Sequence, residues 1–206
     1  MWKVDRKIYI NIDGKKVLLK IINDKKIKKI KRVYYFGDIL ARVPEGKYTD
    51  EYLERYFNMP YLKKWFNRLE KKFEGSKEVY ERDAQEIGLE LEDRTTEELR
   101  TIIEKYVDKF TPQFGRPKQI IIRPIFEVWG RCSSSKDKLS FNPVMKYLPE
   151  NLIEFVVYHE MIHTYCLNHN PPFYREMAKR YPDWKDWDYN LDTYAYIITS
   201  KHDILF

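Results

Sequence analysis

Four histidines occur in the chain, and three of them fall in one short segment: His159, His163 and His169. His159 and His163 are four residues apart, so on a helix their side chains lie one turn above each other on the same face. Two imidazole nitrogens placed that way can both reach a single Zn²⁺ at about 2.0–2.1 Å. Glu160 follows His159 directly and projects about 100° further round the helix. There its carboxylate can reach a water on the ion without ligating the ion itself. This is the H-E-x-x-H arrangement. A catalytic zinc site needs a third protein ligand and one open position. His169 lies six residues beyond His163, just after Asn168, a residue type that tolerates the left-handed conformation ending many helices. A turn at Cys166 to Asn168 therefore brings His169 back to the ion. The expectation is one Zn²⁺ per chain on His159, His163 and His169, with Glu160 as general base. Imidazole also suits Co²⁺ and Mn²⁺, so the spacing alone does not choose between metals.

The elements that must position this segment are readable from pattern. A long helix is expected from about Pro149 to Cys166 and a shorter one from Pro171 to Tyr181. Upstream, Ile120 to Val128 reads as a buried strand and Leu139 to Asn142 as a second, with a small polar turn, Trp129 to Ser135, between them. Thr95 and Glu98 form a capping-box pattern opening a helix to about Phe110, with Leu99, Ile102, Ile103 and Tyr106 inward. Ser76 to Arg94 is acidic and reads as helical, weakened by Gly88. Near the start, Lys7 to Ile12 and Lys15 to Ile22 flank Asp13-Gly14, a pair suited to a tight hairpin. Ile30 to Phe36 and Ile39 to Val43 flank Gly37-Asp38 in the same way, so this region predicts a small antiparallel sheet. Helical spacing begins at Thr49, and Pro60 suits the first turn of a second helix.

Composition narrows the class. The 206 residues are 43% hydrophobic and 16% aromatic, enough to bury a sizeable core, which rules out wholesale disorder. With 34% charged residues and a mean hydropathy of −0.67, no apolar run approaches the roughly 20 residues of a spanning helix. The amino terminus lacks an apolar secretory core, and Cys132 and Cys166 do not make a disulfide framework; both points predict a cytoplasmic protein with no membrane association. Net charge is +6, and Lys25, Lys26, Lys28, Lys29, Lys31 and Arg32 crowd one stretch. That stretch reads as a solvated, lysine-blunted sheet edge, with a phosphate-binding stripe as the alternative. The cysteines read as small buried hydrophobes rather than ligands.

The segment from about Arg116 to Trp187 resembles the YgjP-like metallopeptidase family, also called DUF45, related to the SprT and WLM zinc peptidases. Trp129-Gly130-Arg131-Cys132-Ser133 resembles that family's Trp-Gly-Ser-Cys-Ser turn, and Leu139 to Asn142 its following strand. Asn168-His169-Asn170-Pro171-Pro172-Phe173-Tyr174 is similar to its Asn-His-Ser-Pro-x-Phe-Trp stretch, and Tyr181 to Trp184 to its closing Met-Pro-Asp-Tyr. The resemblance implies the same three zinc ligands and the same acid/base, Glu160. Arg131 departs from the family's Ser, at the rim of a candidate substrate cleft that includes Trp129 and Tyr174.

Together these readings predict an α+β fold. A zincin-like catalytic domain at 113–206, with its active-site helix and small sheet, follows an N-terminal antiparallel β-sheet region at 1–48 and a helical linker at 49–112. The expected activity is zinc-dependent hydrolysis of protein or peptide substrates. Two alternatives come from other classes. One is hydrolysis of nucleotide phosphates, for which Arg131 and Arg175 would have to converge on the metal. The other is a non-enzymatic nucleic-acid-binding module using the basic sheet. Tyr165, Tyr174, Tyr189, Tyr194 and His202 are candidate oxyanion donors among which sequence does not choose. Ile120 to Trp129 is a candidate edge for an added substrate strand. Oligomeric state is left open.

Overall fold

Asp13 and Gly14 both adopt positive φ, 51° and 84°, which is the turn a two-residue hairpin requires. It joins β2 (Arg6–Ile12) to β3 (Lys15–Asp24) in antiparallel register, with Ile12 opposite Lys15. The computed structural model describes the chain except Met1, Phe36, Ile87, Glu127, Asp203 and Phe206, and except the side chains of Trp2, Lys3, Tyr35, His202, Ile204 and Leu205. The chain divides into two compact units, residues 2–87 and 88–206.

In the first unit a two-residue strand, β1 (Trp2–Lys3), precedes β2 and β3, and a second hairpin pairs β4 (Lys31–Tyr35) with β5 (Asp38–Pro44). Phe36, the expected end of its first strand, lies outside the described residues. The purely antiparallel sheet expected here is corrected. The order is β2-β3-β5-β4, and β3 pairs parallel with β5. The cause is burial: β3 and β5 are the most apolar strands and take the central places, whereas β4, Lys-Arg-Val-Tyr-Tyr, goes to the edge. The residues between β3 and β4 carry the lysine cluster, and Lys25, Lys26, Lys28 and Lys29 are exposed there. Helices α1 (Asp50–Phe57) and α2 (Pro60–Lys72) bury Leu53, Phe57, Leu62 and Phe66 against Ile10, Ile12, Leu19, Ile21 and Ile39. Pro60 opens α2 as expected. Helix α3 (Ser76–Glu86) ends before Gly88, whose φ of 62° breaks the helical run.

The second unit holds the H-E-x-x-H segment. Helix α4 (Thr96–Phe114) begins with a complete capping box: the Glu98 backbone N–H donates to Thr95 Oγ1 at 3.2 Å, and the Thr95 backbone N–H donates to the Glu98 carboxylate at 2.7 Å. Thr95→Ala should therefore cost about 1 kcal/mol of stability without touching catalysis, checked by urea unfolding. Four further helical or strand pieces frame the site: β6 (Gln119–Ile122), β7 (Gly130–Cys132), β8 (Lys138–Phe141) and a 3₁₀ turn at Pro143–Tyr147. Helices α5 (Glu150–Tyr165), α6 (Pro171–Arg180) and α7 (Trp184–His202) follow, then a two-residue strand, β9 (Ile204–Leu205). The small sheet runs β6-β8-β7, with β6 parallel and β7 antiparallel to β8.

Two strand expectations change. The strand expected over Ile120 to Val128 ends at Ile122, because Pro124 has no N–H for the ladder and the chain leaves the sheet after Arg123 N–H bonds Phe141 O. Glu127 lies outside the described residues. Within the stretch expected to be a polar turn, Gly130–Cys132 instead forms the edge strand β7. The core of this unit packs Ile103, Val107 and Phe110 of α4 with Ile153, Val157 and Ile162 of α5, Phe173 and Met177 of α6, and Leu191 and Ile198 of α7. Glu154 on α5 is the polar tie, bonded by Lys109 of α4 at 3.0 Å and by Arg180 of α6. Among the described residues no helix is long and apolar enough to cross a membrane.

Candidate metal and catalytic centre

Helix α5 is buried on nearly every side, from Leu152 through His163, so polar side chains on it are costly unless they have partners. Three such groups, His159, Glu160 and His163, occupy its last two turns. The helix stops at Cys166, whose N–H still bonds Ile162 O at 2.8 Å. The chain then reverses through Leu167 and Asn168, and Asn170 caps α6 by accepting the Phe173 N–H at 3.3 Å. His169 is held between that turn and that cap.

The result is convergence. His159 Nε2 and His163 Nε2 are 3.2 Å apart, His163 Nε2 and His169 Nε2 3.1 Å, and His169 Nε2 and His159 Nε2 3.0 Å. Two features argue against a ring of ordinary hydrogen bonds. His163 Nδ1 lies 2.9 Å from the Cys166 carbonyl, which can only accept, so Nδ1 carries the proton and Nε2 offers a bare lone pair. Burial also lowers the pKa of all three rings, His159 to about 3 with the other two rings adding to the effect, so they are neutral near pH 7. Neutral imidazole is the ligand form. A tetrahedral ion about 2.0–2.1 Å from each nitrogen asks for N···N separations of about 3.3–3.4 Å. The observed triangle is within a few tenths of an ångström of that, so the residues present fit a divalent metal. These three are also a His cluster able to hold an ion, and neither cysteine belongs to it.

Phe173 forms the floor, fully buried, with its ring centroid 4.6–4.9 Å from all three imidazoles. It braces all three rings by packing.

Glu160 is 5% exposed, and its Oε2 has no hydrogen-bond partner among the described residues. Burial pushes its carboxyl up to about 8, against the opposing pull of a hydrogen bond from the Cys132 backbone and of the Arg131 charge. Above it opens a cavity of about 380 Å³, lined by His159, Glu160, His163 and His169, by Val128 to Cys132, and by Asp188 and Leu191 of α7.

Trp129 and Arg131 thus line the cavity, while Tyr174 does not; it stacks on Trp184 at 4.7 Å, with the His169 ring 6.2 Å away. Arg175 is likewise absent from the wall, so the two arginines do not converge. None of Tyr165, Tyr189 and Tyr194 lines the cavity, and the His202 side chain lies outside the described residues. The substrate-edge expectation for Ile120 to Trp129 shifts: among the described residues of that stretch Val128 and Trp129 alone reach the cavity, and the strand beside Glu160 is β7. The Cys132 thiol is pushed up to about 11, first by burial and then by the Glu160 charge, which makes it an unreactive thiol. Burial also raises Asp188 to about 6, with the Asp192 charge adding to it.

Residues 40–194, about three-quarters of the chain, match the protein family described as YgjP-like, metallopeptidase domain. The chain belongs to this family. Membership makes this YgjP-like protein a metal-dependent peptidase by class, and it places the three-histidine cluster inside the matched segment. Among solved structures, a similar chain is the metallopeptidase zymogen abylysin of Pyrococcus abyssi, 22% identical, with a TM-score of 0.38, covering 52% of this chain and 98% of that one. No curated protein matches the YgjP-like chain. Three residues of the centre escaped sequence reasoning: Gly130, Phe173 and Asp188. The first two stand inside the segments that carried the family resemblance, whereas nothing local marked Asp188.

Proposed function

We propose that this chain is a zinc peptidase in which His159, His163 and His169 hold one Zn²⁺ and Glu160 is the general base. The observation that carries the reading is the convergence of three neutral Nε2 atoms beside a buried carboxylate oxygen that has no partner among the described residues, all on one cavity wall. A divalent ion bound there acts as a Lewis acid toward water and a peptide carbonyl. The chain's own residues do the rest. His163, fixed by the Cys166 carbonyl, keeps its lone pair aimed at the ion. Glu160 Oε2 takes the proton of the attacking water and then passes it to the leaving nitrogen as the C–N bond breaks. A carboxyl whose environment pushes it toward 8 is a willing proton acceptor, and the adjacent dication would draw it back to its charged form.

Peptide is favoured over nucleotide phosphate because a polyphosphate needs several converging cations, and among the described residues the cavity wall carries one arginine, Arg131, and no lysine, together with the acid Asp188. The test is metal content of the isolated chain by mass spectrometry, beside cleavage of a mixed peptide library. One zinc per chain, with cleavage abolished by a chelator and restored by zinc, is the expected result. Cleavage that survives full removal of metal would overturn the reading.

A further inference from the structure

Seven glycines occur in the chain, and six of them, Gly14, Gly37, Gly46, Gly75, Gly88 and Gly115, have positive φ. Those six answer to backbone conformation, and a Cβ added at any of them would meet nothing within 4 Å. Gly130 is the exception on both counts. Its backbone is ordinary strand, open to any residue, yet a Cβ there would lie 2.6 Å from Glu160 Cγ, 2.8 Å from Glu160 Oε1 and 2.9 Å from Glu160 Cδ. Ordinary carbon contacts are about 3.5–4.0 Å. The nearest atoms that a side chain at position 130 would meet all belong to Glu160.

We infer that Gly130 is a positioning residue for Glu160: its missing side chain is the slot in which the carboxylate lies. The inference rests on the reading of Glu160 as the base. Strand β7 supplies both halves of the holder, since the Cys132 backbone also bonds the same carboxylate two residues on. The strand has little room to retreat. Gly130, Arg131 and Cys132 are in register with Phe141, Ser140 and Leu139 of β8, and the Asn142 N–H bonds Trp129 O at 2.8 Å. Asn142 itself is fully buried and donates from Nδ2 to the Ile125 and Val128 carbonyls at 2.7 and 3.2 Å, pinning the approach to β7. Helix α5 on the other side is core. A methyl group at 130 is therefore accommodated by rotating the Glu160 side chain out of its slot. The three atoms nearest to such a methyl all belong to Glu160 and none to a histidine, so the histidines are expected to keep their places.

The experiment compares full-length Gly130→Ala, Glu160→Ala, the double variant and the parent. In Gly130→Ala we expect unchanged zinc stoichiometry, kcat reduced about 100-fold and KM altered by less than about threefold, since a displacement of about 1 Å at a reacting group costs about that much. A melting-temperature cycle gives a readout independent of activity. Gly130→Ala should shift the melting temperature by about 3 °C or more in the parent and by less than about 1 °C where Glu160 is already Ala. If Gly130→Ala does not fold, the double variant must fold for the inference to stand. Parent-like kcat in Gly130→Ala overturns it, as do loss of zinc from that variant, equal melting shifts in both backgrounds, or a double variant that also fails to fold. Glu160→Gln is run alongside. If it keeps full activity, the base reading has failed instead, which parent-like Gly130→Ala beside an inactive Glu160→Gln would not mean.

Discussion

Glu160→Gln lowers kcat by about 10²–10⁴-fold, the range a general base contributes, while zinc content stays at the parent level. The amide has nearly the same shape as the carboxylate but no basic oxygen to take the water's proton. The same substitution changes stability in the opposite direction. In the metal-free protein burial raises the Glu160 carboxyl from 4.5 to about 8. A group whose folded pKa is raised contributes stability that is fully present below about pH 4.5 and is lost as pH rises through about 8. Metal-free parent protein should therefore weaken across that window, whereas metal-free Glu160→Gln has no such loss. At pH 8 the variant should be the more stable by about 2 kcal/mol, once the cost of burying an amide is set against the relief of burying a charge. Urea unfolding of chelator-treated proteins at pH 5 and pH 8 checks this. Equal stability differences at the two pH values would mean that Glu160 does not ionise in place. A buried carboxylate kept at such a cost is the pattern expected where function and stability pull apart.

His169→Ala is expected to weaken zinc binding by more than about 100-fold, beyond what loss of an outer-shell partner costs, because it removes one of the three proposed direct ligands. The helix should survive, since His169 is exposed and lies outside α5. Dialysis against a buffered zinc series, followed by mass spectrometry, reads the affinity. The parent should also hold its metal on acidification to below the ordinary histidine value of 6.5, because burial lowers all three ring pKa values and protons compete only at lower pH. Retention of zinc by His169→Ala at parent affinity would place the third ligand elsewhere.

The parts of the molecule legible in the sequence are the parts governed by nearby residues. His159 and His163 share a face because four residues make about one helical turn, and a short turn after Cys166 is enough to return His169. Thr95 and Glu98 mark a helix start because both bonds of the capping box join residues three apart. Asp13-Gly14 marks a hairpin because its two residues alone must adopt positive φ. Where a partner lies far along the chain, pattern reading falls short. The parallel pairing of β3 with β5 depends on which strands are most worth burying, and this is a comparison across the whole first unit. The early end of β6 reflects Pro124 meeting its parallel partner β8; both strands were legible, but their pairing was not.

The chain's own order of residues thus determined the chemistry available: three convergent histidines able to hold an ion, one adjacent carboxylate, and the helix that presents most of them. Only the tertiary structure decided how that carboxylate is held. Glu160 and Gly130 are thirty residues apart, and their contact exists because β7 packs on α5. The ring packed under the histidines comes from α6, and the acid on the cavity wall from α7. Short-range spacing follows from helical geometry and is written in the sequence. Contacts between packed elements follow from how the core closes, which no local pattern encodes.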